Sequence, residues 1–362
     1  MNGTDLRAIV VGTGFGCRIQ VPALRGAGFD VVGLVGQDIA RTAERAEANG
    51  VGGSFTDLET AIGETGANVV AISTPPHTHA SLSVTALECG CHVLCEKPFS
   101  ADAAEAQLML ETAERVGKVH MMGHEFRFEP LRATVANAVA EGMIGEPRLA
   151  SIVILLPQIP TQENEMPDWW FDPAEGGGWL GALGSHVVDQ LRTWLGEFAS
   201  VSASLNSVTA TRGGADDSFA VRFTMKNGLE GIIQSSAGTW GPPLDVARVC
   251  GTDGTIWTEG GKVRFSRRSG ERELPIAPGL ALPPPPPITD DPRHETPRWR
   301  NLVSVELPPY TVLCNSMKAA ILGEPTESPV TPATFADGVA AMKVMDAIRA
   351  SAAAGGKLVE LD

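Results

Sequence analysis

The sequence predicts an α/β protein, with a doubly wound parallel sheet followed by an α+β domain built on a mostly antiparallel, open sheet. Its 362 residues suit two domains, because a domain averages about 150 residues. In the first third, short β-branched runs alternate with helical stretches, which indicates right-handed β-α-β crossovers. Between Val201 and Phe265, strand-like segments are joined by short polar turns such as 226–228, which favours antiparallel hairpins.

The first domain is predicted from apolar runs, each bounded by turn residues or by a helical pattern. The predicted strands are Arg7–Val11, Asp30–Val35, Asn68–Ile72, His92–Cys95 and Lys118–Met122. The predicted helices are one that ends near Ala27, Ala40–Asn49, His79–Cys89 and Ala101–Val116. The pattern ends near Gly123, which gives a first domain at 1–124 and a second at 125–362.

The second domain is predicted to combine helices with sheet. Its predicted strands are Leu149–Leu156, Ser218–Met225, Leu229–Ser235, Ala247–Cys250, Thr255–Thr258 and Lys357–Leu361. Its predicted helices are Leu131–Glu141, Leu180–Leu195, Leu302–Leu322 and Ala333–Ala353. An aromatic loop spans 157–178, and the five-proline run Pro283–Pro287 is either a rigid lid or subunit contact, or a solvated surface excursion.

Composition and charge exclude several classes of protein. Hydrophobic residues make up 43% and charged residues 20% of the chain, as in folded globular proteins, and no apolar run approaches the roughly 18 residues that span a bilayer. A net charge of −15 disfavours nucleic acid and anionic membranes as partners. The N-terminus resembles no signal peptide, and six cysteines make no disulfide framework in so long a chain. We therefore expect a cytoplasmic protein.

A glycine-rich loop, Gly12-Thr13-Gly14-Phe15-Gly16, joins the first strand to the first helix. In that context Gly12 permits a tight turn and Gly14 lets the backbone approach a pyrophosphate, while the helix N-terminus supplies amide donors and the positive end of a dipole. Cys17 takes the third glycine position of the G-x-G-x-x-G pattern, where a small residue still allows close packing. The loop predicts a dinucleotide site at residues 12–16.

The end of the second strand bears on which dinucleotide is preferred. An acidic residue about 20 positions beyond the glycine loop usually binds the ribose 2′-hydroxyl, but position 36 is glycine, followed by Gln37 and Asp38. Nothing at position 36 repels a 2′-phosphate, and Arg41 lies one turn into the next helix. Asp38 can instead serve the hydroxyl, so we expect NAD(P) with a slight preference for NADP.

Cys95-Glu96-Lys97-Pro98 follows a predicted parallel strand. Ligands of doubly wound sheets bind beyond the carboxyl ends of the strands, so Lys97 is well placed to hydrogen-bond a substrate hydroxyl. Its charge would stabilise the alkoxide that develops during hydride transfer. A surface lysine would be the ordinary explanation, and the position of Lys97 favours the catalytic one.

His186 lies on the predicted helix that starts near Trp179, three residues before Asp189 and so on the same side. Histidine is the usual proton acceptor for an alcohol that becomes a carbonyl, although a histidine among apolar neighbours is often structural. Gly176-Gly177-Gly178 precedes this helix and lets backbone approach something bulky. Several aromatic residues lie near this helix start, and their flat faces suit either the binding of a sugar ring or plain core packing. They are Trp169, Trp170, Phe171 and Trp179.

No metal site is predicted. Cys89, Cys91 and Cys95 lie close together, but their spacing is not that of zinc ligands, and buried thiols beside a strand explain them better. His77 and His79 follow the strand 68–72 without an acidic residue or cysteine to complete a ligand set. A polar turn beside the nicotinamide, capping the next helix, is the preferred interpretation.

These segments together resemble the Gfo/Idh/MocA family, which comprises glucose–fructose oxidoreductase, inositol dehydrogenase and rhizopine-catabolism-type dehydrogenases. The resemblance is carried by the glycine loop, by Thr74-Pro75-Pro76 with His79, by 92–98 and by 184–189. It implies a Rossmann domain that binds NAD(P), and an open-sheet domain that forms dimers or tetramers. The candidate cofactor contacts are Gly12, Thr13, Gly14, Phe15, Gly16, Gln37, Arg41, Thr74, Pro75, His79, Glu96 and Lys97.

The resemblance also implies a reaction, the reversible oxidation of a hydroxyl on a sugar, cyclitol or related small molecule. Lys97 would polarise the reacting oxygen and His186 would exchange its proton. The candidate substrate contacts are Arg127, Trp170, Asp172, His186 and Asp189. An alternative is a redox-neutral glycosidase, lyase or epimerase with tightly bound NAD, and a third is a non-catalytic nucleotide-sensing regulator, against which the presence of both Lys97 and His186 argues.

Two positions depart from the family pattern. Ala182 stands where many relatives have an aspartate one helical turn before the histidine, so Asp189 or Asp172 would have to replace it. Glu125 stands where relatives often carry asparagine, although Arg127 and Phe128 remain.

Overall fold

The computed structural model describes residues 6–209, 213–285, 287 and 291–361. Within these ranges the chain forms two compact units. The first contains the residues up to Phe128 and those of Leu282–Val339, and the second contains Glu129–Ala281 and the residues from Ala340 onward. The segment 125–362, predicted as one continuous domain, is therefore divided, because the chain returns to the first unit after Ala281. Of the predicted proline loop, Pro286 lies outside the described residues.

The first unit contains a parallel sheet. Its strands, within the described ranges, are β1 (Arg7–Val11), β2 (Asp30–Val35), β3 (Gly53–Phe55), β4 (Val69–Ile72), β5 (His92–Cys95) and β6 (His120–Met122). They lie in the order β3-β2-β1-β4-β5-β6, and every pair of neighbours is parallel. The strand order reverses between β1 and β4, and doubly wound sheets bind their ligands at such a switch point.

Helices connect these strands, and aspartates begin several of them. They are α1 (Val21–Gly26), α2 (Ile39–Ala48), α3 (Leu58–Thr65), α4 (His79–Glu88) and α5 (Ala103–Val116). The side chains of Asp38, Asp57 and Asp102 accept backbone N–H groups in the first turns of α2, α3 and α5, as N-cap residues do. β3 and α3 were not predicted, because β3 is a three-residue, partly exposed edge strand without the apolar run of its neighbours.

The core of the first unit includes residues from far along the chain. Ala8, Ile9 and Val10 of β1 are fully buried, and α9 (Pro297–Leu322) packs into the same core. Burying an aliphatic or aromatic side chain contributes about 1.5–3 kcal/mol. This long helix starts five residues before the predicted start at Leu302, because Thr296 caps it and Pro297 takes its first position.

The second unit is built on a mixed, mostly antiparallel sheet. Its strands, within the described ranges, are β7 (Pro147–Leu155), β8 (Phe198–Asn206), β9 (Ser218–Met225), β10 (Glu230–Ser236), β11 (Leu244–Gly251), β12 (Thr255–Glu259), β13 (Lys262–Arg267), β14 (Gly270–Leu274) and β15 (Val359–Glu360). Their order is β14-β13-β12-β11-β7-β10-β9-β8-β15. β7 and β10 pair in parallel, whereas the other neighbours are antiparallel.

One face of this sheet is buried and the other is open. Ala150, Ile152 and Ile154 of β7 are buried on the inner face.

The helices of this unit are α6 (Pro130–Ala140), α7 (Gln158–Gln162), α8 (Ser185–Leu195) and most of α10 (Phe335–Ala353). β8, β13 and β14 were not predicted, and in β13 and β14 the charged residues conceal the alternation that is typical of a strand. No helix in the described part of the chain has the length and apolarity to cross a membrane.

Candidate functional site

The glycine loop has one open position between two packed ones. A Cβ atom on Gly12 would lie 2.7 Å from the Ser73 carbonyl oxygen, and φ at Gly12 is +108°. A Cβ on Gly16 would lie 2.6 Å from a methyl group of Val10, whereas a Cβ on Gly14 would meet nothing within 4 Å. Gly14 is exposed, so its backbone is free for close approach by a ligand. The loop therefore fits a pyrophosphate at Gly14.

Two arginines donate hydrogen bonds to carbonyl oxygens of this loop. The Arg18 guanidinium donates to the Gly14 carbonyl oxygen at 3.1 Å, pairs with Glu295 and lies 4.2 Å over the Trp299 ring. Arg45 donates to the Thr13 carbonyl oxygen at 2.9 Å. Burial and the charge of Arg45 lower the pKa of Arg18 to about 10. Neither arginine was predicted as a site residue, because both follow the loop along the chain, at positions 18 and 45, and only the fold brings Arg45 back to it.

Packing at the end of β2 excludes any side chain at position 36. A Cβ on Gly36 would lie 2.5 Å from the Thr42 hydroxyl and 3.0 Å from the Thr13 methyl group. Gln37, Asp38 and Arg41 follow and are exposed. The Asp38 carboxylate accepts the backbone N–H of Arg41 at 2.8 Å, so it already caps α2.

His79 joins the loops that follow β4 and β5. Its ring nitrogens face the carbonyl oxygens of Pro98 at 3.0 Å and Thr74 at 2.8 Å, and the side chain is fully buried. Burial lowers its pKa to about 4. His79, predicted as a cofactor contact, thus connects the Thr74-Pro75 turn to the Lys97-Pro98 turn.

Glu96 and Lys97 come directly after β5, at the carboxyl end of the parallel sheet. Lys97 is half-buried, its backbone N–H donates to the Glu96 carboxylate at 3.2 Å, and the Lys97–Pro98 peptide bond is cis. Glu96 is 5% exposed, and burial raises its pKa to about 7 although the charge of Lys97 lowers it. The Gln20 amide donates to the Tyr310 hydroxyl at 2.9 Å, and the neighbouring Tyr310 hydroxyl also lowers the pKa of Glu96.

Arg127, predicted as a substrate contact, is engaged within the first unit. Its guanidinium pairs with Asp337 at 2.9 Å and donates to the Thr331 carbonyl oxygen at 3.4 Å. The side chain is 7% exposed. These contacts tie the short turn Glu125–Phe128 to the start of α10.

In the second unit, His186 and Asp189 lie on α8. They are 3% and 2% exposed and stand three residues apart, which makes them neighbours on one helix face. The turn Leu180–Gly184 that leads into α8 is a π-helical segment. Asp216 anchors it, since its carboxylate accepts the Leu180 N–H at 2.8 Å and its carbonyl oxygen accepts the Trp179 N–H.

The aromatic cluster is internal packing. Trp170 is 5% exposed, and its ring centroid lies 5.3 Å from that of Phe171 and 6.1 Å from that of Trp179. The glycine run 176–178 packs against the backbone of this chain, because a Cβ on Gly177 would lie 2.3 Å from the Trp169 carbonyl oxygen. Of the two explanations left open for this cluster, these contacts favour core packing for Trp170.

The remaining sequence-predicted positions differ in exposure. Asp172 is exposed, and its carboxylate accepts the Ala174 N–H at 2.8 Å. Cys91 and Cys95 are buried thiols as expected, whereas Cys89 is exposed because it ends α4. Among the described residues, no group of three or more histidine, cysteine, aspartate or glutamate side chains is arranged to hold a metal ion.

Two family models match this chain. One, described as an oxidoreductase family with an NAD-binding Rossmann fold, matches residues 6–124. The other, described as a GFO/IDH/MocA C-terminal domain, matches residues 133–257. The chain belongs to the Gfo/Idh/MocA family. As in that family, NAD is the ligand that the open glycine loop and its helix fit.

Relatives and solved structures agree with this assignment to the Gfo/Idh/MocA family. An uncharacterised oxidoreductase of Synechocystis sp. is 30% identical over 209 residues, 58% of this chain and 56% of that protein. Levoglucosan dehydrogenase of Pseudarthrobacter phenanthrenivorans is 33% identical over 186 residues, 50% of this chain and 47% of that protein. The chain thus spans about half the length of these relatives. A levoglucosan dehydrogenase in complex with NADH and levoglucosan has the same fold, with a TM-score of 0.81, 24% identity and 99% coverage of both chains.

Proposed function

We propose that this protein is an NAD(P)-dependent dehydrogenase that oxidises a secondary hydroxyl of a sugar, cyclitol or related cyclic compound, or reduces the corresponding carbonyl. The observation that carries the proposal lies in the first unit. Half-buried Lys97 follows β5, and the open Gly14 follows β1, so both stand beyond carboxyl ends of the same parallel sheet. That edge is where doubly wound sheets bind dinucleotide and substrate.

The residues of this chain would divide the chemistry as follows. The N–H groups of 12–16, together with Thr74 and Pro75, would hold NAD(P), which when bound accepts or returns a hydride. The Lys97 ammonium group would donate a hydrogen bond to the reacting oxygen and stabilise its developing negative charge. His186 would take the hydroxyl proton during oxidation and return it during reduction.

The reaction type can be tested by absorbance. We expect the purified protein, given NAD(P) and a panel of sugars and cyclitols that includes levoglucosan, to generate reduced nicotinamide with at least one of them. The control is the Lys97→Met variant under the same conditions. Product released without any change in nicotinamide absorbance would instead establish the redox-neutral alternative. That alternative is tested because Ala182 stands where many family members have an aspartate. Retention of nucleotide with no turnover at all would favour a regulator.

We expect the cofactor preference to lean to NADP, because Gly36 excludes a carboxylate there and Arg41 is exposed beside it. Replacing Arg41 by glutamate should lower the ratio of kcat/KM for NADP to that for NAD by about tenfold or more, the effect of losing a charge-assisted phosphate contact. Arg115→Glu on α5 makes the same change of charge at an exposed position of the same unit and should leave the ratio alone. A wild-type preference for NAD above tenfold contradicts this expectation.

The open face of the second sheet supports a homodimer or homotetramer. Leu149, Ile232 and Leu244 are 51%, 50% and 43% exposed, and their register places them on one face. Exposed apolar side chains that share one face of a sheet favour an interaction site, and a second copy of this chain is the partner proposed. Light scattering should give a multimeric mass for the wild type and a smaller one for Ile232→Glu. Leu108→Glu, at a similarly exposed leucine of the first unit, should leave the mass unchanged, and a monomeric wild type contradicts the proposal.

A cytoplasmic location agrees with the cysteines. All six are free thiols, and Cys17, Cys91, Cys95 and Cys314 are buried. Burial raises the pKa of Cys17 and Cys91 to about 11, which keeps these thiols protonated and unreactive. Free thiols are the rule in a reducing compartment.

A further inference from the structure

Two peptide groups of the glycine loop are held at their carbonyl ends by arginine side chains. The Arg45 guanidinium donates to the Thr13 carbonyl oxygen at 2.9 Å, and the Arg18 guanidinium donates to the Gly14 carbonyl oxygen at 3.1 Å. Hydrogen bonds from a charged donor are stronger than those between neutral groups. These contacts therefore fix the orientation of two successive peptide planes, Thr13–Gly14 and Gly14–Phe15.

The amide ends of the same two peptide groups point away from the arginines. Both peptide bonds are trans, and a trans peptide is planar with its C=O and N–H groups on opposite sides. Among the residues that the structure describes, no acceptor is hydrogen-bonded to the N–H of Gly14 or of Phe15. By contrast, the peptide group between Val11 and Gly12 is hydrogen-bonded at both its carbonyl and its amide end. The loop thus presents two oriented N–H groups that an anionic ligand can accept.

Arg18 is itself held by the segment of the chain that returns to the first unit. Its side chain is 6% exposed and pairs with Glu295, and its guanidinium carbon lies 4.2 Å from the centroid of the Trp299 ring. These two contacts hold Arg18 in place although several like charges lie near it. The like charges, which lower the pKa of Arg18, are Arg41, Arg45 and Arg298.

We propose that Arg18 and Arg45 are positioning residues of the cofactor site. Arg45 and Arg18 hold the carbonyl oxygens of residues 13 and 14, and in this way they aim the N–H groups of residues 14 and 15 at the pyrophosphate of NAD(P). Glu295 in turn holds Arg18. The proposal rests on the proposed function, because it assumes that the glycine loop binds a dinucleotide. Neither guanidinium has to touch the ligand, since what both contribute is the orientation of backbone donors.

Titration of the cofactor-free protein with NADH, followed by nicotinamide fluorescence, tests the two arginines. NADH is used because it lacks the 2′-phosphate for which Arg41 is the proposed partner. Arg45→Met and Arg18→Met should each weaken NADH binding about tenfold or more, the effect of losing a charge-assisted hydrogen bond. Arg45→Lys should recover most of the affinity, because its ammonium group can still donate to the Thr13 carbonyl oxygen.

The matched control is Arg25→Met. Arg25 is exposed on α1 of the same unit and donates to the carbonyl oxygens of Asn49 and Gly50 at 2.6 and 2.8 Å. This variant therefore removes the same charge and the same kind of contact away from the glycine loop, and it should bind NADH as the wild type does.

Two competitors of NADH separate positioning from general damage to the fold. ADP-ribose contains the pyrophosphate and should lose affinity for Arg18→Met and Arg45→Met as NADH does. Adenosine contains no phosphate and should bind these variants as it binds the wild type. Equal weakening of both competitors would assign the two arginines to the stability of the unit and would overturn the proposal.

Glu295→Ala separates orientation from charge, because the two explanations predict opposite signs. If only the electric field at the ligand matters, removing a negative charge beside the loop should tighten NADH binding. If Glu295 has to hold Arg18, the variant should instead weaken NADH binding by roughly threefold, the effect of losing a partly exposed ion pair. The losses in the two methionine variants should also persist at about 1 M salt, where the Debye length is about 3 Å.

Wild-type affinity for NADH in Arg18→Met and Arg45→Met would overturn the proposal, and so would tighter binding by Glu295→Ala. Failure of the proposed function is distinguishable from these results, because it would already appear in the wild type as the absence of NAD(P)H binding. That outcome would refute the function and this inference together.

Discussion

Replacing Lys97 by methionine is expected to lower kcat by roughly 10²–10³-fold, the cost of removing one preorganised donor from a developing oxyanion. Methionine keeps the length of the side chain, and Lys97 is only half-buried, so the fold should tolerate it. Affinity for NAD(P)H, measured by fluorescence titration, should be unchanged because the glycine loop is untouched. Turnover equal to that of the wild type would refute the mechanism.

The matched control for this experiment is Lys118→Met. Lys118 is half-buried in the same unit and follows α5, so its replacement removes the same charge away from the carboxyl edge of the sheet. We expect wild-type kcat and KM for this variant. A comparable loss in both variants would show that the net charge of the unit, and not the position of Lys97, controls the rate.

Replacing His186 by asparagine is expected to lower kcat by roughly 10²–10⁴-fold, the usual contribution of a positioned general base. The residual activity should rise with pH, because hydroxide can take the proton that the imidazole no longer accepts. Melting temperature and NAD(P)H affinity, measured alongside, identify a loss caused by misfolding. A rate within a few-fold of the wild type would leave His186 as a buried structural residue.

The partner of His186 can be identified by a pair of asparagine variants. Buried Asp189 lies one turn further along α8, whereas exposed Asp172 caps a short turn. A carboxylate that orients a general base has to lie beside it, so Asp189→Asn should lower kcat about tenfold or more and Asp172→Asn should change it little. The opposite ranking would assign Asp172 to the role that Ala182 cannot fill.

Local signals were enough to predict much of the first sheet. β1, β2 and β5 have the predicted bounds, because a parallel strand buried on both faces is a continuous apolar run. Edge strands lack this signal, which is why β3 and the charged hairpin β13–β14 were missed. The glycine loop was also predictable, since its residues are contiguous and its steric demands are local.

The buried network behind Lys97 could not be predicted in the same way. Gln20, Glu96 and Tyr310 belong to separate segments that only the tertiary fold brings together, and no spacing along the chain indicates such a set. The chain has a single tyrosine, Tyr310, and it lies in a helix that contains Pro308 and Pro309. This combination was the one sequence signal that pointed to the segment. The burial of His79 and Trp170 could not be predicted either, because burial of a polar or aromatic side chain is a tertiary property.

The return of the chain to the first unit has a consequence for biosynthesis. Gln20 is hydrogen-bonded to Tyr310, 290 positions later, and Leu313 and Met317 complete the same core. A ribosome adds roughly 5–20 residues per second, so the dinucleotide-binding half must wait many seconds with an unfinished core while the second unit is made. The nascent chain therefore exposes apolar surface during this interval, and the second unit has the opportunity to fold before the first is complete.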